Sequence, residues 1–294
     1  MEKRIKDRYN DDILHTMMQR YAIQPEQIQL LDGFESFMYA FERDGEAYIL
    51  RVGHSLRRSI PLIQGEVDWI NYLAAGGASV SRAILSENRN LVEIVDDGQG
   101  GHFLGTAFVK AQGAPPGRAV WGAPLFEEYG RLIGRMHALA KNYQLPDPAW
   151  KRPEWDAPGM LDMEDWLPAS EGPVLKKYYT LKTYLDTLPK DGDTYGLIHQ
   201  DAHGGNFFVD DAGRITLFDF DDCAYSWFMN DIAIVLFYAA VNTDDPSAFT
   251  EHFMTHFLKG YKSKNHLNPA WLKEIPHFLK LREIDLYAII HRSF

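Results

Sequence analysis

Residues 196–220 read GLIHQDAHGGNFFVDDAGRITLFDF, and the fold follows from how this stretch is punctuated. Gly196, Leu197 and Ile198 form a short apolar strand, and the run from Asn206 to Val209 begins another. Asp210-Asp211-Ala212-Gly213 is a turn signal, after which Arg214 to Phe218 read as a half-buried strand. A hairpin with that turn carries Asp219 back toward the loop that holds Asn206. Within the loop, His199, Asp201 and Asn206 are spaced as His-x-Asp-x-x-x-x-Asn. Such a three-point pattern arises by chance in roughly one protein in a hundred of this length, so its weight comes from the strands around it.

A rigid loop that presents a carboxylate to orient a hydroxyl, and a carboxamide to hold a cation on nucleotide phosphates, is what phosphoryl transfer needs. Asn206 and Asp219 are oxygen donors suited to Mg²⁺, an ion held by one or two carboxylates with phosphate oxygens and water. The competing account makes Asp201 and Asn206 ordinary turn residues around Gly204-Gly205, with Asp219 as a helix N-cap. It leaves the convergence of three features unexplained. His199 is expected to brace the loop as a buried imidazole rather than to serve as a base.

With 294 residues, 46% of them hydrophobic and 13% aromatic, the chain can bury a sizeable core in one large or two smaller domains. Thirty basic residues against 41 acidic ones give a net charge of −11, which argues against a nucleic-acid-binding face and suits a cationic small substrate. The start, MEKRIKDRYNDD, lacks the apolar centre of a signal peptide, and no apolar run has the length of a membrane span, so cytoplasm is the expected location. Cys223 is the one cysteine, which excludes an internal disulfide framework; it reads as a small buried apolar residue.

From Gln29 the chain alternates as strands around an Asp44-Gly45 hairpin turn. Gly33, Glu35 and Ser36 lie between the first two strands, either as a plain turn or as a tip offering backbone N–H groups to phosphates. In the next strand Tyr48, Leu50 and Val52 share one face, and Ala47, Ile49 and Arg51 the other. LIQGEVDWINYLAAGG reads as a helix closed by Gly76-Gly77, with Leu62, Glu66, Trp69 and Leu73 on one stripe. A glutamate on a buried face calls for a cation opposite, and Arg51 is the candidate. Strands NLVEIV and HFLGTAFV follow, before the Pro/Gly-rich residues 110–117 mark a boundary.

Beyond it, PLFEEYGRLIGRMHALAKNY spaces Leu125, Tyr129, Leu132, Met136 and Leu139 as a core helix in which His137 is structural. Residues 145–190 interleave Trp150, Trp155 and Trp166 with Glu154, Asp156, Asp162, Glu164 and Asp165. They read equally as an acceptor pocket for an amine and as helices packed by their tryptophans. Asn230 and Asp231 precede an apolar run and read as its capping region, and the C-terminal third reads as further helices.

In order along the chain, the hairpin tip, strand cation, helix glutamate, hinge, HQDAHGGN loop and FDFDD strand resemble the protein-kinase-like fold. More closely they resemble the aminoglycoside phosphotransferase, choline kinase and homoserine kinase superfamily. The resemblance implies an α+β, two-lobed fold: residues 1–110 as a nucleotide-binding lobe of antiparallel sheet with one main helix, and residues 111–294 as a larger helical lobe with the catalytic and acceptor sites. By the same resemblance Asp201 is the base or hydroxyl-orienting acid, and Asn206 and Asp219 are the Mg²⁺ ligands. Arg51 clamps phosphate with Glu66 as its partner, Ser36 lies over the nucleotide, and the backbone at Phe108, Val109 and Lys110 meets the adenine. Two departures stand out: Arg51 occupies a position where protein kinases carry lysine, and Asp221 stands where a glycine would follow. The expected activity is ATP-dependent phosphorylation of a hydroxyl on a small amine-containing molecule such as an aminoglycoside-like antibiotic, an amino alcohol or a homoserine-like metabolite. The rival readings are a serine/threonine protein kinase, a metal-dependent hydrolase built on His199-x-Asp201-x-His203, and a nucleotide-binding pseudokinase.

Overall fold

The computed structural model describes residues 1–33, 35–241 and 243–293. The chain divides into two compact units, residues 1–112 with 144–151 and residues 113–143 with 152–294. The division falls between Gln112 and Gly113, within the Pro/Gly-rich stretch, and the segment 144–151 packs with the first unit.

The first unit opens with helices α1 (Lys3–Lys6) and α2 (Asp11–Arg20), the latter capped by the Asn10 side chain accepting from Ile13 N. Strands β1 (Ile28–Leu31), β2 (Phe37–Arg43) and β3 (Glu46–His54) form a meander. Asp44 and Gly45, with φ of 55° and 80°, make the tight turn between β2 and β3 that their sequence predicts. Helix α3 (Ile60–Ala75) ends at Gly76, and Gly77 follows with φ of 78°. Strands β4 (Ala83–Ile84), β5 (Glu93–Asp96) and β6 (His102–Val109) complete an antiparallel sheet ordered β1-β2-β3-β6-β4, with β5 also paired to β6.

Alternation along β3 gives the two faces of this sheet different chemistry. Leu50 and Val52 join Phe103, Ala107, Tyr39 and Phe41 in one apolar cluster with Ile13, Met17, Met18 and Tyr21 of the α2 region. Arg51, pointing the other way, meets α3. The α2 cover has no counterpart in the sequence reading, which recognised one main helix here. On α3, Gly65 lies under the Trp150 carbonyl, where a Cβ would collide, so segment 144–151 rests directly on the helix backbone.

In the second unit α4 (Ala123–Ala140) and α8 (Pro246–Lys262) cross at close range, because Gly130, Gly134 and Gly260 let backbone approach backbone. Helices α5 (Met163–Trp166) and α6 (Gly172–Leu185) follow α4. Strand β7 (Tyr195–Ile198) pairs with β10 (Ala224–Trp227), and β8 (Phe207–Val209) pairs with β9 (Ile215–Leu217). Helices α7 (Phe228–Ala240) and α9 (Ile275–Ser293) complete the unit. Tyr129, Phe253, Phe257 and Tyr261 form its aromatic centre, all fully buried. Among the described residues, no helix is long and apolar enough to cross a membrane.

One expectation needs correcting here. Asp231 does not cap its own helix, since α7 already starts at Phe228 and Asp231 sits in its first turn, fully buried. The tryptophans of residues 145–190 are divided between the two units. Trp150 belongs to the first unit, while Trp155 is wholly buried against Trp227, with the chain's own Lys182 ammonium 5.3 Å from its ring. Lys182 also takes Asp156, Tyr195 takes Glu154, and Tyr179 takes Glu164. Each of these three acids has a partner within the chain.

Candidate active site

The loop between β7 and β8 is held from below by one buried carboxylate. Asp231 accepts from His199 N at 3.1 Å and Gln200 N at 2.8 Å, while His137 Nε2 donates to it at 3.1 Å. Burial pushes its carboxyl up, but the His137 bond, the nearby imidazoles and the loop N–H groups outweigh that and leave it below the usual carboxylate range. His137 is in turn fixed by the Tyr261 hydroxyl at 2.9 Å, and Tyr129 donates to the Ala202 carbonyl. The carboxylate supplies acceptors to backbone donors that no regular strand satisfies.

His199 braces the loop, as its sequence context predicts. Fully buried, it accepts from Asp201 N through Nδ1 at 3.2 Å and donates through Nε2 to Phe218 O at 3.1 Å. Burial pushes this imidazole below its ordinary value, so it is neutral with the proton on Nε2. Both ring nitrogens are thereby engaged, which removes His199 as a metal ligand and with it the hydrolase reading. Among the described residues, no three His, Cys, Asp or Glu side chains are grouped to hold a metal.

The strand pairing does what the turn signal promised. Phe207 faces Leu217, and Phe218 N donates to Asn206 O at 2.9 Å, which sets Asp219 one residue beyond a bond to the Asn206 backbone. Gln200 and Asp219, flanking the site, both adopt left-handed backbone conformations with φ of 70° and 64°. For non-glycine residues this costs about 1–3 kcal/mol each, and such strain gathers at functional sites. After Asp219, buried Arg152 holds the Asp221 and Cys223 carbonyls at 2.5 and 2.9 Å. Cys223 is fully buried.

Asp201 has both oxygens directed. Asn206 Nδ2 donates to its Oδ2 at 3.0 Å and to its main-chain O at 2.9 Å, and His203 Nε2 lies 3.4 Å from Oδ2. Arg282 of α9 reaches Oδ1 at 2.5 Å. Burial pushes this carboxyl up, yet the His203 bond and the Arg282 charge hold it below the usual range, so it is an anion at neutral pH. Because the Asn206 amide nitrogen is committed to Asp201, its amide oxygen is the atom left for a cation. That oxygen and the exposed Asp219 carboxylate are both hard oxygen donors, a donor type that fits a divalent ion completed by phosphate and water and would not fit zinc.

In the first unit, Arg51 and Glu66 meet as a bidentate pair with both N···O distances at 2.8 Å, Arg51 8% exposed and Glu66 0%. Arg51 also donates to Thr106 Oγ1 at 3.3 Å, with its guanidinium 5.1 Å from the Phe108 ring. Ser36 immediately precedes β2, beside Gly53, and Glu35 is paired with Arg57. Val109 N donates to Arg82 O and Lys110 N to Ala47 O, so these two N–H groups are already engaged within the sheet.

Several residues at the site were missed from sequence: Arg282, Asp285 and Tyr238 around Asp201, and Arg152 behind Asp221. Arg282 and Asp285 border the buried stripe Leu281, Ile284 and Ala288, so an opposite-charge pair at i, i+3 beside an apolar stripe was the available signal.

Comparison with known proteins gives the family of the chain. The model of the phosphotransferase enzyme family matches residues 26–275. An amicoumacin kinase from Bacillus subtilis (strain 168) is 43% identical over 290 residues, 97% of this chain and 86% of that protein. An amicoumacin kinase solved in complex with AMP-PNP, Ca²⁺ and Ami superposes with a TM-score of 0.97 at 41% identity, covering 100% of this chain and 90% of that one. A microcompartment-associated aminopropanol kinase shares the fold, with a TM-score of 0.79 at 23% identity over 97% of this chain and 90% of its own. The chain belongs to the phosphotransferase enzyme family and is a kinase.

Proposed function

We propose that this kinase uses ATP and Mg²⁺ in the cytoplasm to phosphorylate a hydroxyl of a small amine-containing antibiotic, with amicoumacin as the first candidate. The observation that carries the reading is the convergence of Asp201, Asn206 and Asp219 on one loop and hairpin. The named relatives of high identity support the choice of acceptor.

In this reading Asp201 accepts the hydroxyl hydrogen and aims the oxygen at the γ-phosphorus. A carboxylate held below its usual range is a weak base, so it works by orientation and takes the proton late, as a loose transition state permits. Asn206 and Asp219 hold the cation, whose charge offsets that building on the phosphate oxygens. Arg51, kept straight by Glu66, engages the phosphates, with Ser36 and the backbone of residues 108–110 on the nucleotide. The first unit is then the nucleotide-binding lobe, and the second carries the catalytic loop and the acceptor.

The test is incubation with Mg-ATP and a panel of amicoumacin, aminoglycosides, amino alcohols, homoserine and protein extract, read by mass spectrometry. Amicoumacin should gain one phosphoryl group. Asp201→Ala should lose about 10²–10⁴-fold in turnover while still binding nucleotide. Phosphorylation of the extract with every small molecule untouched would put a protein kinase in its place.

A further inference from the structure

Arg282 reaches the site from α9, on the far side of the sequence from the catalytic loop. Its side chain is 11% exposed, and its two terminal nitrogens face in different directions. Nη2 lies 2.5 Å from Asp201 Oδ1 and 2.6 Å from the Tyr238 hydroxyl; Nη1 lies 2.8 Å from Asp285 Oδ2. The guanidinium also sits over the Tyr238 ring, 5.2 Å from its centroid, and the His203 ring lies 4.6 Å from the same ring, centroid to centroid. Asp285 and Tyr238 thus grip Arg282, and Arg282 grips Asp201.

We propose that Arg282 is the positioning residue of Asp201, making helix α9 part of the catalytic machinery. The inference rests on the reading that Asp201 orients the acceptor hydroxyl. A carboxylate has about four lone-pair directions. On Asp201, Asn206 and His203 address Oδ2, and Arg282 addresses Oδ1. The direction that remains is defined only while both oxygens are held, because rotation about the carboxylate bond is otherwise soft. An arginine serves this place best, since its planar fork with two separated donors spans Asp201 and Asp285 together, whereas an ammonium is a single point charge that replaces these contacts only in part.

The experiment is a double-variant cycle in the full chain, combining Arg282→Met and Arg282→Lys with Asp201→Asn, together with a crystal structure of Arg282→Met. Turnover is read both on the best acceptor of the panel and as acceptor-free ATP hydrolysis. Arg282→Met should lower kcat about 10–100-fold, as expected for a small misplacement of a reacting group, with KM for ATP within about twofold of wild type. Arg282→Lys should recover part of the loss. In the Asp201→Asn background Arg282→Met should add nothing, and in the crystal the Asp201 carboxylate should leave its present rotamer. A helix lost to misfolding would show as a changed KM for ATP and no rescue by lysine, and would overturn the proposal. So would multiplicative effects, an unchanged kcat or an unmoved Asp201 rotamer, while leaving the role of Asp201 standing. Full activity in Asp201→Asn would instead overturn the role of Asp201 and the proposal with it.

Discussion

Replacing Asp231 with asparagine tests the claim that one buried carboxylate builds the catalytic loop. The substitution keeps shape and turns one acceptor oxygen into a donor. Asp231 Oδ1 accepts from Gln200 N at 2.8 Å, and Oδ2 accepts from His199 N and His137 Nε2, both at 3.1 Å. Whichever way the new amide turns, its NH₂ faces an N–H. If it faces Gln200, one bond is lost outright at about 1–3 kcal/mol, and the two that survive drop from charge-assisted to neutral at about 0.5–1 kcal/mol each. The sum is about 2–5 kcal/mol, a large part of the 5–15 kcal/mol that holds a typical domain, so the variant should fold but weakly. Gln200 should then relax from its left-handed conformation and shift Asp201, its neighbour in the chain. Urea unfolding should show the stability loss. Hydrogen exchange of residues 196–206 should show lost protection at His199 and Gln200, and kcat should fall about 10–100-fold. Because the Asp231 carboxyl lies below the usual range, its contribution is complete above about pH 4 and is lost only as pH falls through that lower folded value. The gap between wild type and variant should therefore stay constant from about pH 5 to 8. A loss under about 1 kcal/mol with loop protection intact would refute the reasoning.

Glu66→Ala strips a buried guanidinium of its carboxylate and should cost about 3–5 kcal/mol; replacing both Arg51 and Glu66 with methionine should restore much of that while nucleotide binding stays weak. Thermal unfolding and nucleotide titration separate the two effects, and a single variant as stable as wild type would sink the buried-pair argument. Burial pushes the Asp285 carboxyl up to about 6 against the pull of Arg282. The folded chain then holds a proton there that the unfolded chain releases near pH 4, so the contribution of Asp285 to stability falls as pH rises through about 4 to 6. Asp285→Asn lacks that slope, and its stability relative to wild type should improve by about 2–3 kcal/mol between pH 4 and 7 in urea titrations. A gap that does not change with pH would place the titration elsewhere.

Much of the site was legible because its geometry is local. A short strand, a loop of fixed length and a hairpin leave little freedom, so His199, Asp201, Asn206 and Asp219 could be placed from spacing and turn residues alone. The pairing of Arg51 with Glu66 was legible for a different reason: two charges on faces whose alternation marks them as buried have to find each other. Helix α2 was not, because the Leu50 and Val52 face of β3 shows that something apolar covers it without saying what.

The sequence by itself determined the strands and turns along one loop and hairpin, since periods of 2 and 3.6 and turn chemistry act over a few residues, and its resemblance to a phosphotransferase family implied the reaction class. Tertiary structure alone decided what holds that loop in place. Asp231 looked like a cap for the helix that follows it, yet it is turned inward to satisfy His199 and Gln200. Arg282 follows Asp201 by 81 positions, and no local rule selects which charged residue of a helix will meet a distant carboxylate. Packing of α7 and α9 around the loop makes that selection, because the buried oxygens of Asp201 have to be paired with whatever donors the assembled core brings within reach.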